Sequence, residues 1–197
     1  MTNATVQPES FEFTAENQEL AKMHIAKYPQ GRQASAVMPL LDLAQRQHGG
    51  WLPDAAIRYV SDMLDMPYIR AFEVATFYTM YNLKPVGKHF IEVCTTTPCW
   101  LRGSDDVLAA CKKTLGIGPG ETTEDGEFTV IEVECLGACV NAPMIQVGDD
   151  YYEDLDLEST SKVLEALKAG RSPEPGPQNG RQTSAPLGGP TTLKETA

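Results

Sequence analysis

Two stretches of this sequence share one design: residues 90–99 read FIEVCTTTPC, and residues 128–139 read FTVIEVECLGAC. Each begins with aromatic and β-branched residues, which are typical of strands, and each continues into a pair of cysteines. The first pair is Cys94 and Cys99, with four residues between them, and the second is Cys135 and Cys139, with three between them. Two loops at strand ends are therefore predicted to aim four thiolates at one site.

Four thiolates are the ligand set of both a structural zinc site and a [2Fe–2S] cluster. Structural zinc sites usually have two residues between paired cysteines, and neither pair here has that spacing. A thioredoxin-type redox dithiol also needs C-x-x-C, and the spacing fits neither the bacterial nor the plant-type ferredoxin pattern. Gly137 and Ala138 leave room for inorganic sulfide and let main-chain N–H groups point at sulfur. The spacing favours a [2Fe–2S] cluster, while zinc stays open on spacing alone.

The remaining cysteine and the histidines are given no metal role. Cys111 lies at helical spacing from Leu108 and Leu115, where a free cysteine is usually a small core residue. A Rieske centre needs paired histidines, but the three in this chain are scattered, at His24, His48 and His89. We therefore expect no catalytic residue, and four residues that are both metal ligands and cofactor-binding residues: Cys94, Cys99, Cys135 and Cys139.

Composition restricts the partners and the surroundings of the chain. Its formal net charge is −11 over 197 residues, which disfavours nucleic acid and favours a cationic protein partner. No apolar run approaches the roughly 20 residues that cross a bilayer, and residues 1–10 lack the features of a secretion signal. We expect a cytosolic protein that meets a membrane only through partners. In a reducing cytosol, its five cysteines favour metal binding or packing over disulfides.

Residue patterns divide the chain into three parts and predict an α+β fold. Residues 1–86 predict an N-terminal helical bundle, residues 87–169 a β-α-β-β-α domain of thioredoxin-like type, and residues 170–197 a disordered tail rich in proline and glycine. In the first part, helices are predicted at 14–27, 35–48, from 53 to about 65, and 68–81. In the second part, strands are predicted at 90–93, 128–134, 144–147 and 151–154, and helices at 104–115 and 161–168.

Taken together, the motifs resemble a known family. The run GWLP at residues 50–53, the run EVATFYTMYN at 73–82, and the two cysteine pairs are similar to the small iron–sulfur subunit of NADH:quinone oxidoreductase. This is the NuoE-type subunit of respiratory complex I. The resemblance covers residues 11–168 and leaves the tail outside it.

This resemblance implies a helical N-terminal region followed by a thioredoxin-like [2Fe–2S] ferredoxin domain. It implies that Cys94 and Cys99 hold one iron, and that Cys135 and Cys139 hold the other. It also implies a partner subunit that binds FMN and NADH, other peripheral-arm subunits, and a cluster near the flavin on a side branch of the electron chain. The location expected for such a subunit is peripheral, on the cytoplasmic side of the bacterial inner membrane.

The resulting prediction is an electron-transfer subunit whose [2Fe–2S] cluster exchanges single electrons with the FMN of its partner, with no complete active site in this chain alone. One alternative is the diaphorase subunit of a soluble NAD-linked hydrogenase or formate dehydrogenase. An alternative of another class is a zinc-stabilised interaction module without a redox role. Colour separates the zinc module from the two iron–sulfur proteins, because iron–sulfur proteins are red-brown and zinc proteins are colourless.

Overall fold

A computed structural model describes residues 7–189 and 192 and divides the chain into two compact units, Met1–Val86 and Gly87–Ala197. The first unit is helical and the second contains a mixed sheet with helices, so the predicted α+β class is confirmed. Within the described residues, every helix is too short or too polar to span a bilayer.

The first unit packs amphipathic helices around an apolar core that includes Leu40, Leu41 and Ile57. Thr14 caps the first helix, because its hydroxyl accepts a hydrogen bond from the N–H of Asn17 at 3.2 Å. The described helices are α1 (Ala15–Ala26), a 3₁₀ turn (Gln33–Ala36), α2 (Val37–Gln47), α3 (Asp54–Met63) and α4 (Tyr68–Phe77).

Helix α4 ends four residues earlier than predicted, because the chain turns after Phe77 to bury Tyr81. The hydroxyl of Tyr81 donates to the carbonyl of Met38 at 2.9 Å, which gives the buried ring a polar partner. The aromatic side chains of residues 72–81 are divided between the core and the surface. Phe72 packs against the core, whereas Phe77 is 77% exposed.

The second unit is built on a sheet with the strand order β2-β3-β1-β4-β5-β6. Strand β1 lies near its centre, parallel to β3 and antiparallel to β4. The strands are β1 (His89–Cys94), β2 (Glu121–Thr122), β3 (Phe128–Val133), β4 (Ile145–Val147), β5 (Asp150–Glu153) and β6 (Gly176–Pro177). The sequence patterns missed β2 and β6, because two residues are too few to show an alternation.

Helices α5 (Thr97–Arg102), α6 (Ser104–Leu115) and α7 (Leu157–Lys168) complete this unit. Helix α6 has the predicted bounds, whereas α5 was not predicted and α7 differs at its start. The residues before Ser104 form α5, so Gly103 takes the N-cap position of α6 at φ 104° and Ser104 becomes a buried helical residue. Helix α7 starts earlier than residue 161, because Asp156 and Ser159 cap it reciprocally: each side chain accepts a hydrogen bond from the main-chain N–H of the other.

The segment predicted to be a disordered tail is partly structured. Residues 176–177 form β6 beside β5, and the side chain of Arg181 pairs with Asp154. The prediction is therefore wrong for this part of residues 170–197. It failed because these contacts use main-chain groups and a charge, and neither leaves an apolar periodicity. Residues 1–6, 190, 191 and 193–197 lie outside the described residues.

Candidate metal centre

The first cysteine pair is buried. Cys94 ends β1 and is 2% exposed, and its main-chain N–H donates to the carbonyl of Met144 at 3.3 Å. Cys99 lies in α5, with Pro98 in the first turn, and is 1% exposed. Proline is favoured there, because its missing N–H would have no partner within the helix. The strand end and the short helix thus place two thiols inside the protein.

The second cysteine pair is exposed. Cys135 follows β3 by two residues and Cys139 begins a 3₁₀ turn, and their sulfur atoms lie 3.2 Å apart. The N–H of Gly137 donates to Sγ of Cys135 at 3.4 Å, as expected for small residues in this loop. Gly137 has φ 87°, and an added Cβ would meet nothing within 4 Å. The left-handed backbone conformation therefore favours glycine at this position, although the surrounding space would accommodate a side chain.

The two pairs meet at one end of the sheet. Strands β1 and β3 are adjacent and parallel, with Cys94 opposite Val133, so both cysteine loops start at the same edge. Cys94 and Cys99 form a buried apolar group with Ala142 and Met144, and Leu136 and Ala138 pack against that group. Because Leu136 and Ala138 lie between Cys135 and Cys139, the structure brings all four predicted ligands together.

The four thiols influence one another's ionisation. Burial, followed by a hydrogen bond with Cys94, raises the pKa of Cys99 to about 12. A hydrogen bond from Cys139, assisted by the N–H of Gly137, lowers the pKa of Cys135. The same thiol–thiol hydrogen bond raises the pKa of Cys139, and the charge of Cys94 adds to that effect. Metal binding at this site therefore has to displace protons, as it does at thiolate sites in general.

The four thiols are arranged as two pairs, one on each loop. A structural zinc ion requires four ligands around one centre. A [2Fe–2S] cluster needs only two thiolates at each iron, because inorganic sulfide supplies the other ligands. Two thiol pairs, one buried and one exposed, fit this second requirement.

Acidic and apolar surfaces border the site. A cleft of about 280 Å³ is lined by Thr95 and Thr96, which directly follow Cys94, and by the end of β3 with Glu132 and Glu134. Three apolar side chains close in sequence to Cys99 and Cys139 are largely exposed: Trp100 at 58%, Leu101 at 71% and Val140 at 61%. Such a concentration of apolar side chains around one site is typical of a surface that a partner covers.

The residues given no metal role lie elsewhere in the fold. Cys111 is 1% exposed and packs among the apolar residues between α6 and the sheet, together with Leu108 and Leu115, as predicted. His89 begins β1, at the opposite end of that strand from Cys94, and stacks on Phe128 with 5.0 Å between ring centroids.

Sequence reasoning missed the residues that support the cysteine loops. Met144 accepts the N–H of Cys94, and the hydroxyl of Tyr151 donates to the carbonyl of Leu136 at 2.9 Å. Both residues lie in predicted strands, at 144–147 and 151–154, but their partners depend on how those strands pack. Arg181 also belongs to this group, and a basic residue in a proline- and glycine-rich segment gave no signal of a buried partner.

Comparisons with known proteins agree with this architecture. The profile of the thioredoxin-like [2Fe–2S] ferredoxin family matches residues 21–168. Proteins named as the E subunit of NADH-quinone oxidoreductase, from Rickettsia bellii (strain RML369-C) and Rickettsia conorii (strain ATCC VR-613 / Malish 7), are 61% and 62% identical over 159 residues, which is 81% of this chain and 95% of each relative. The crystal structure of an air-oxidised NAD⁺-reducing [NiFe]-hydrogenase shares the fold, with a TM-score of 0.57 and 21% identity over 66% of this chain and 23% of that chain. On the family profile and the two Rickettsia relatives together, the chain belongs to the thioredoxin-like [2Fe–2S] ferredoxin family.

Proposed function

We propose that this chain is an electron-transfer subunit of an NADH:quinone oxidoreductase, and that Cys94, Cys99, Cys135 and Cys139 hold its [2Fe–2S] cluster. The observation that carries the proposal is the meeting of four thiols from two loops at the ends of adjacent parallel strands. Family membership supports the cluster, and the two Rickettsia relatives support the choice of complex.

Each cysteine pair is assigned to one iron. The sulfur atoms of Cys135 and Cys139 lie 3.2 Å apart, and Cys94 and Cys99 lie together in one buried group. When bound, a [2Fe–2S] cluster accepts and releases one electron at a time. The protein supplies four thiolates, keeps the first pair away from water, and directs the N–H of Gly137 at one ligand sulfur. Such a hydrogen bond stabilises negative charge on sulfur and so influences the reduction potential.

A flavin in a partner subunit is the second part of the proposal. Hydride transfer from NADH moves two electrons together, whereas a [2Fe–2S] cluster takes one. Flavins accept a hydride and release single electrons, so we place FMN and NADH in the partner. The exposed Trp100, Leu101 and Val140, close in sequence to the ligands, offer a surface on which that partner would shield the cluster from water. We place the assembled complex on the cytoplasmic side of the bacterial inner membrane.

The diaphorase subunit of a soluble NAD-linked hydrogenase is a second candidate, because an NAD⁺-reducing [NiFe]-hydrogenase shares this fold. That likeness has 21% identity and shows the fold alone. The two Rickettsia relatives are 61% and 62% identical over most of the chain. The difference in identity favours NADH:quinone oxidoreductase.

The test is to follow the visible spectrum of the purified, flavin-free chain under anaerobic conditions. We expect dithionite to bleach it and NADH alone to leave it unchanged. Adding the FMN-binding subunit of the same complex should allow reduction by NADH, provided that the cluster's potential lies within reach of NADH. Rapid bleaching by NADH without flavin or a contaminating reductase would contradict the placement of FMN and NADH in the partner subunit. A colourless protein that contains zinc would contradict the presence of the cluster.

A further inference from the structure

The chain returns to the metal centre after α7. Strand β6 pairs in parallel with β5, with Gly176 opposite Tyr152 and Pro177 opposite Glu153. The main-chain N–H of Gln178 then donates to the carbonyl of Glu153 at 2.9 Å. These hydrogen bonds fix the direction of the segment that follows. We name residues 176–183 the clasp.

Arg181 in the clasp is bound on two sides. Its Nη1 donates to the carbonyl of Val140 at 3.1 Å, and its Nη2 forms an ion pair with the carboxylate of Asp154. The two side chains of this pair are 14% and 3% exposed, whereas those of Lys162 and Glu158 are 73% and 77% exposed. Exposed pairs contribute little to stability, but removing one partner of a buried pair leaves an uncompensated charge.

A second contact joins the clasp to Asn141, which follows Val140 in the chain. The Nδ2 of Asn141 donates to the carbonyl of Thr183 at 2.9 Å and to the carboxylate of Glu153 at 2.8 Å. Asn141 is 1% exposed. Thr183 has φ 48°, a left-handed conformation that β-branched residues rarely adopt. Such a conformation persists only where the surrounding contacts hold it.

These contacts converge on one short piece of chain. Val140 and Asn141 directly follow Cys139, and both belong to the 3₁₀ turn that Cys139 begins. We propose that the clasp holds this turn in its cluster-binding arrangement, and that Arg181 is the positioning residue that acts through the Val140 carbonyl on Cys139. The inference rests on the proposed function, because it takes Cys139 as an iron ligand.

The experiment uses the full-length chain with its cluster and compares Arg181→Ala and Arg181→Lys with wild type. Arg171→Ala is the matched control, because Arg171 is an exposed arginine earlier in the same C-terminal segment. We measure the rate of iron release to a chelator, the visible circular dichroism of the bound cluster, and far-ultraviolet circular dichroism as a check of folding. Visible dichroism reports the arrangement of ligands around iron, which a purely global loss of stability would not change in the folded protein.

We expect Arg181→Ala to release iron at least about tenfold faster, which corresponds to 1.4 kcal/mol, with an altered visible dichroism. Arg181→Lys keeps the charge but lacks the planar guanidinium group with its several N–H donors. Its rate of iron release should therefore lie between those of Arg181→Ala and wild type. Arg171→Ala should match wild type. The acceleration is expected because Asp154 and the Val140 carbonyl both lose a partner.

Wild-type release and dichroism in folded Arg181→Ala would overturn the proposal. If Arg181→Ala does not fold, Arg181→Lys decides, and wild-type release with wild-type dichroism would overturn it equally. Failure of the proposed function is distinguishable, because the wild-type chain itself would then hold no iron–sulfur cluster.

Discussion

Two buried cysteines allow the ligand assignment to be tested with the cost of burial held constant. Cys99 and Cys111 are both 1% exposed, and burial is the largest cause of the raised pKa in each, to about 12 and about 11. Replacing either thiol with serine buries a hydroxyl, which costs about 1–3 kcal/mol where its hydrogen bonds are incomplete. The two variants therefore share the destabilisation and differ in metal ligation.

We expect the free energy of unfolding of the metal-free chain to fall by a similar amount, about 1–3 kcal/mol, in Cys99→Ser and in Cys111→Ser. Serine at position 111 can donate to the carbonyl one helical turn earlier, which moves its cost toward the lower end of this range. A urea titration followed by far-ultraviolet circular dichroism measures this quantity. A much larger loss in one metal-free variant would show that the two sites are not matched.

The cluster-loaded chains should then differ strongly. Cys111→Ser should keep the full visible absorption per chain, because its side chain lies in the core between α6 and the sheet. Cys99→Ser should lose most of the absorption, because a hard hydroxyl is a poor substitute for thiolate. Loss of absorption in Cys111→Ser together with retention in Cys99→Ser would refute the ligand assignment.

Three further predictions follow from the surroundings of the site and the capping of α7. The cluster should have a negative midpoint potential in a redox titration, and a positive midpoint in wild type would contradict that prediction. Glu132→Gln or Glu134→Gln should each raise the midpoint potential by no more than roughly 20 mV, because both carboxylates are exposed and screened by salt. Asp156→Ala should lower stability at neutral pH by about 1 kcal/mol in urea titrations, with Asp156→Asn as the control that keeps a cap. The N–H and hydroxyl of Ser159 lower the pKa of Asp156 below its ordinary 3.8. The part of this contribution that depends on the carboxylate charge is therefore complete above that value and should be lost as the pH falls through the lowered pKa, whereas Asp156→Asn should show no such loss. A difference between wild type and Asp156→Ala that does not change with pH would contradict the charge-assisted cap. Tyr151→Phe removes the hydrogen bond to the Leu136 carbonyl and should accelerate iron release, whereas an unchanged rate would show that this contact does not hold the second cysteine loop.

The strands and cysteine loops could be predicted because their signals are local. The aromatic and β-branched residues at 128–133 and the spacing of each cysteine pair are visible in a few consecutive residues, and the observed strands β1 and β3 lie close to the predicted ones. The burial of Cys111 was predictable for the same reason, since helical spacing from Leu108 and Leu115 places it on an apolar face.

The contacts that support the site could not be predicted, because they join residues far apart in the chain. The hydrogen bond from Arg181 to the Val140 carbonyl spans 41 positions, and nothing in either local sequence specifies the other. Composition alone predicted a disordered tail at residues 170–197, and truncation after Gly170 would then be harmless to the cluster. The buried pair of Arg181 and Asp154 reverses that expectation, since truncation would leave Asp154 buried without its partner.

The central claim is that Cys94, Cys99, Cys135 and Cys139 hold a [2Fe–2S] cluster. It is tested most directly by measuring iron, acid-labile sulfide and zinc per chain after anaerobic purification. We expect about two irons and two sulfides per chain, with zinc well below one, as the composition of a [2Fe–2S] cluster requires. About one zinc per chain without sulfide would contradict the claim.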